Sequence, residues 1–176
     1  TLVLIRDLGT ALVFFFVFIV IAFMRSGDFR TIALITSGAA LAAFSVISLM
    51  PYIAARFQAW RHVWEYADTI GYQQTRTMIA AASGGLLGVG GGNGKLIKIG
   101  AADTDLVFGV LCEEWGLIIA LTVILSIVFF AVLAVFLTRL SRSSLYSIAA
   151  CGAVSFFLIQ TALNVFGSLD LLPLTG

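Results

Sequence analysis

The chain has 176 residues, 61% of them hydrophobic and only 11% charged, with a formal net charge of +1 and a mean hydropathy of +1.10. A soluble domain carries roughly 25% charged residues. The apolar excess cannot be hidden in a soluble core of this length, so composition points to an integral membrane protein. The small net charge excludes a nucleic-acid partner, because no basic stripe is available to neutralise phosphates.

In chain order, four uncharged runs read as membrane-spanning helices, at about 8–24, 31–51, 105–138 and 143–169. A span needs about 20 predominantly apolar residues. Asp7 precedes "LGTALVFFF" and reads as a helix cap. The link after the first span, "RSGDFR", carries Arg25 and Arg30, and the link after the third carries Arg139 and Arg142. Four alternating helices put both basic links on one side, which the positive-inside rule makes cytoplasmic. The long segment 52–104 is then extracytoplasmic, with both chain ends. The reading is an all-α polytopic membrane protein, with amphipathic or short helices in the long outer loop.

Pro51 should end the second helix. In "PYIAARFQAWRHVWEYAD", Ile53, Phe57, Trp60, Trp64 and Ala67 recur at helical spacing. This predicts one amphipathic helix lying on the outer leaflet. A second short helix is expected over Tyr72 to Ala82. The glycine run after it must break it: seven of the eleven residues from Gly84 to Gly94 are glycine.

The glycine run is not a Walker A loop, because Val89 stands where the first glycine belongs and Leu96 where Ser or Thr belongs. Two readings stay open. The run is a flexible connector with solvated lysines, or its backbone N–H groups, with Lys95 and Lys98, hold a pyrophosphate. Asp105 follows Asp103 and Thr104 at the mouth of the third span. It is either a helix cap or a partly desolvated carboxylate suited to general-base work.

Glu113 and Glu114 would lie about 12–13 Å further along that helix. Glu113 would be about 80° from Asp105 and Glu114 about opposite, so the two cannot share one substrate atom with Asp105. A proton path, a lipid-headgroup contact and a structural interhelix bond all fit. Arg56 and Arg61 are candidates for lipid phosphate, or solvated side chains. His62 is the single histidine, which excludes a histidine metal cluster, and Cys112 and Cys151 read as apolar fillers.

The motifs "DLGTAL" (7–12), "GYQQTRTMIAAASGGLLGVGGGNG" (71–94), "TDLVFGVLCEEWGL" (104–117) and "ALNVFGSLDLLPLTG" (162–176) together resemble the SEDS family of shape, elongation, division and sporulation proteins, which includes RodA, FtsW and SpoVE. The match is in order and covers nearly the whole chain, 1–176, as part of a single membrane domain. The resemblance implies ten transmembrane helices, of which this chain supplies roughly the sixth to the ninth. It implies a peptidoglycan glycosyltransferase of the bacterial cytoplasmic membrane. Its substrates would be lipid II and the growing glycan strand, and its partner a class B penicillin-binding protein transpeptidase.

The family's catalytic aspartate falls on Asp105, its paired glutamates on Glu113 and Glu114, and its Tyr-x-x-x-Arg arginine on Arg56. With Gln73 and Lys95, these last residues are the implied substrate-binding set. A divalent cation on the substrate pyrophosphate is compatible with this, and no metal ligand in the chain is implied. The family's usual histidine is Asp103 here and its phenylalanine is Leu106, so no argument can rest on that histidine. A proline-rich stretch and a Gly-Gly-Ser signature are expected beyond Gly176. The chain therefore reads as a piece of a longer protein, inactive alone. The rival functions are a lipid II flippase and a non-catalytic scaffold for the transpeptidase.

Overall fold

The structure, a computed structural model, describes residues 8–100, 102–140 and 143–173. Asp7 and Arg142 lie outside the described residues, as does the side chain of Tyr52. The order is α1 (Leu8–Ser26), α2 (Phe29–Leu49), α3 (Pro51–Ala59), α4 (Tyr72–Gly84), a 3₁₀ turn at Leu96–Lys98, α5 (Val107–Thr138) and α6 (Ser144–Ser168). The described residues contain no strand. Four helices, α1, α2, α5 and α6, are long and apolar enough to cross a membrane. The chain is thus an all-α polytopic membrane protein, as its composition implies.

The chain divides into two compact units. The first joins the described residues up to Ala54 with Ile127–Gln160. Here α1 turns into α2 through Gly27, whose φ of 63° suits glycine and whose N–H donates to the Phe23 carbonyl at 2.8 Å. Asp28 then caps α2: its carboxylate accepts the Arg30 N–H at 3.0 Å and the Thr31 hydroxyl at 3.3 Å. The apolar side chains of α2 lie mostly on the surface. Its hydroxyls bond within the helix: Thr36 donates to Ile32, Ser45 to Leu41 and Ser48 to Phe44. That satisfies them where no water is available. Ring contacts join Phe23 to Phe29 and Phe14 to Phe156.

The second unit joins Ala55–Ser126 with Thr161–Gly176, its described part ending at residue 173. It is built differently. α2 closes at Leu49, just ahead of Pro51 as expected, and Pro51 also starts α3. Proline fits the first helical position, where its missing N–H has no intrahelical partner to lose. The long amphipathic helix expected through Ala67 stops at Ala59 and gives way to successive turns. The reason is long-range. Arg61 takes a φ of 65°, and its N–H donates to the Asp170 carboxylate at 3.1 Å instead of to the helix ladder. The Trp60 indole N–H donates to the Leu171 carbonyl nearby. The turn buries Val63, off the face that the spacing predicted, completely and leaves Trp64 61% exposed.

Helix α4 matches its expected place and buries Gln74, Thr75, Thr77, Ala80 and Gly84. The Gln74 amide donates to the carbonyls of Gly167 and Leu172. Gly109 lets α5 approach closely, since a Cβ there would strike the Thr77 methyl group. Leu96 and Leu106 complete the small apolar core beside Ala80.

Candidate active site

The glycine run is neither a flexible connector nor an open anion cradle. Its backbone is bonded to α5. Val89 N–H donates to the Glu113 carbonyl at 2.9 Å and Gly90 N–H to the Glu114 carbonyl at 3.0 Å. Those two carbonyls are available because α5 is interrupted at Gly116, whose φ of 83° and ψ of 166° are not helical. The N–H groups of Leu117 and Ile118, orphaned by the break, donate to the carbonyls of Gly85 and Leu86. The loop thereby supplies both kinds of partner that a broken helix lacks.

Glycine is required where these backbones meet. A Cβ at Gly84 would collide with the Cys112 carbonyl, one at Gly88 with the Glu114 carbonyl, and one at Gly116 with the Leu86 carbonyl. Gly88 and Gly116 also carry positive φ, which other residues adopt only under strain.

The paired glutamates finish the fastening with their side chains. Glu113 is buried, and its two carboxylate oxygens accept the N–H groups of Lys95 and Leu96 at 3.0 and 2.9 Å. Glu114 accepts the Gly92 N–H at 3.0 Å. A Cβ at Gly94 would press on both carboxylates.

Asp105 lies in a turn ahead of α5, which starts at Val107. The helical-wheel angles expected between Asp105 and the glutamates therefore do not apply. Asp105 is half-buried, while Asp103 and Thr104 are exposed. Its turn is held from α6 by Asn164. The Asn164 amide donates to the carbonyls of Thr104 and Asp105, and its oxygen accepts the Phe108 N–H at 3.0 Å. The sequence reading did not single out Asn164; the available signal was an amide, one of two with Gln160, within an uncharged run.

Among the other expected site residues, Gln73 opens α4 and donates its amide to the Gly100 carbonyl at 3.1 Å. Lys95 is exposed, with only its backbone engaged by Glu113. Arg56 is half-buried in α3. The structure thus joins Glu113, Glu114 and the Lys95 backbone in one network, and sets Asp105 in a second one with Asn164. Among the described residues no group of His, Cys, Asp and Glu is placed to hold a metal ion.

Four helices long and apolar enough to span define a polytopic membrane protein, and its polar groups gather in an assembly of helix and loop. A family model described as "Cell cycle protein", FtsW/RodA/SpoVE, matches residues 1–176, and the chain belongs to that family. It is 32% identical over 176 residues to a protein of Mycobacterium leprae named peptidoglycan glycosyltransferase RodA, covering 97% of this chain and 37% of that protein. It is 30% identical over 175 residues to a Buchnera aphidicola protein named probable peptidoglycan glycosyltransferase FtsW, covering 97% and 44%. A Tolumonas auensis protein with the latter name is 32% identical over 176 residues, covering 97% and 46%. The chain spans between about a third and a half of the length of these curated relatives.

Proposed function

We propose that the protein is a peptidoglycan glycosyltransferase that polymerises lipid II in the bacterial plasma membrane, with segment 52–104 on the outer face and Asp105 as general base. The observation that carries this reading is the placement of Asp105: a half-buried carboxylate in a clamped turn just ahead of a spanning helix. The names of the matched relatives support the reaction class.

In this reaction Asp105 removes the proton from the sugar 4-hydroxyl of one lipid II. The oxygen forms a bond to the anomeric carbon of the other lipid or of the growing strand. The bond from that carbon to the pyrophosphate breaks, and undecaprenyl pyrophosphate leaves with its electron pair. A positioned general base contributes about 10²–10⁴-fold. The side chains of Arg56 and Lys95 stabilise the departing charge, and Gln73 borders the headgroup. A divalent cation would enter with the pyrophosphate, as part of the substrate.

The loop's N–H groups at Gly92, Lys95 and Leu96 are bonded to carboxylates, so phosphate recognition falls to side chains. We assign Glu113 and Glu114 the role of shaping the loop that presents Lys95. The part of α5 after the break, Leu117 to Thr138, runs about 33 Å, enough for a hydrocarbon core of about 30 Å. The glutamates then lie at the edge of the span rather than deep within it. A class B penicillin-binding protein is the proposed partner.

The test is lipid II polymerisation by the full-length protein, wild type against Asp105→Asn, with substrate binding and thermal stability matched. We expect the rate to fall about 10²–10⁴-fold. A mutant that polymerises at the wild-type rate would return Asp105 to the role of helix cap. A wild type that moves lipid II across vesicles without making polymer would replace the whole reading with that of a transporter.

A further inference from the structure

We infer that Asn164 is the positioning residue for Asp105. This rests on the reading of Asp105 as the base. One planar amide makes three bonds to a single short turn from a helix 56 to 60 residues away in sequence. Its nitrogen lies 3.1 Å from the Thr104 carbonyl and 3.0 Å from that of Asp105. Its oxygen lies 3.0 Å from the Phe108 nitrogen. The contacts bracket Asp105, fixing the peptide groups before and after it and the first turn of α5.

The chemistry selects an amide. Two N–H donors and one acceptor are needed on a short stem, and asparagine offers both. The network also fixes which way the amide faces, because the reverse orientation sets oxygen against two carbonyls and N–H against N–H. Phe108 N–H is one of the donors that a helix start leaves unpaired. Asn164 serves it from α6, so that donor needs no cap from Asp105. Asp103 and Thr104, just ahead of Asp105, are exposed. A base that abstracts a proton must be held close to its productive place, and a misplacement of about 1 Å can cost about 10²-fold.

Asn164→Ala removes all three bonds. Asn164→Asp keeps an acceptor for Phe108 and replaces both donors with oxygen. Each is made in the full-length protein and again together with Asp105→Asn, and lipid II polymerisation is measured as kcat and KM. The inference expects kcat to fall about 10- to 100-fold with KM within about twofold. It also expects no further loss beyond about twofold when the Asn164 change is added to the residual rate of Asp105→Asn, because a residue acting through Asp105 has nothing left to act on.

An unchanged kcat beside an inactive Asp105→Asn overturns this inference alone. So does a loss confined to KM, or a loss that recurs at full size in the Asp105→Asn background. If Asn164→Ala does not fold, Asn164→Asp is judged on the same criteria. If neither folds, Asn164 is a folding residue and the inference fails. A wild-type rate for Asp105→Asn instead removes the reading of Asp105 as base.

Discussion

The two units solve the same problem, the hydrogen bonds of the backbone and polar side chains, in opposite ways. In the first unit most solutions are local, the reach of Ser147 on α6 to the Thr138 carbonyl of α5 being an exception. Thr36, Ser45 and Ser48 bond carbonyls of their own helix, and the turn at Gly27 and Asp28 is closed by its neighbours. The second unit has local bonds too, such as Thr77 to Gln73 and Thr122 to Ile118, but adds distant ones. Glu113 reaches Lys95 and Leu96, Gln74 reaches Gly167, Asp170 reaches Arg61 and Asn164 reaches the turn at Asp105. A lipid-facing helix must be complete by itself, because lipid offers no partners. A site that holds polar groups in fixed relation needs partners from several parts of the chain. The contrast predicts that single substitutions matter more in the second unit than in the first.

The largest expected effect is at the backbone contacts. Gly88→Ala adds a Cβ against the Glu114 carbonyl at a residue with φ of 80°, and should cost at least about 3 kcal/mol from strain and overpacking together. Thermal unfolding in detergent reads this directly, and a stability near wild type would mean that the loop does not lie on α5. Glu113→Ala should come next. It leaves the Leu96 N–H unpaired in a buried place, at about 1–3 kcal/mol, and limited proteolysis should then cut between Gly90 and Lys98. Glu114→Ala strips one partner from the more exposed Gly92 and should cost about 0.5–1.5 kcal/mol. An equal effect for the two glutamates would erase the distinction drawn between them. The smallest effect belongs to the first unit: Thr36→Val loses only bonds to its own helix, and its midpoint should move by no more than about 0.5 kcal/mol. A larger shift there would break the comparison.

The same division explains what could be read from the sequence. The spanning helices were legible because hydropathy is a local property. The expected span of 31–51 is observed as Phe29–Leu49, and that of 143–169 as Ser144–Ser168. Helix α4 was legible from the glycines that end it. The turn at Arg61 was not, because its cause is a carboxylate 109 residues away. The helical period through Trp64 was real as a pattern and was overridden by that bond. The break at Gly116 was hidden within an apolar run whose flanks are helical, since the carbonyls that permit it belong to Gly85 and Leu86. Asp105 could be picked out as a carboxylate at a helix mouth. Its tie to Asn164 could not, because nothing in either segment refers to the other.

The interruption at Gly116 also makes the longer part of α5 depend on chain made before it. Leu117 and Ile118 begin the longer part of α5 with N–H groups that find their acceptors at Gly85 and Leu86. Those acceptors emerge from the ribosome some thirty residues earlier. Without the loop these two N–H groups would need other partners, because a helix start leaves its first donors unpaired. The longer part of α5 is thus capped at its start by the backbone of a segment that precedes it in the chain, not by its own side chains.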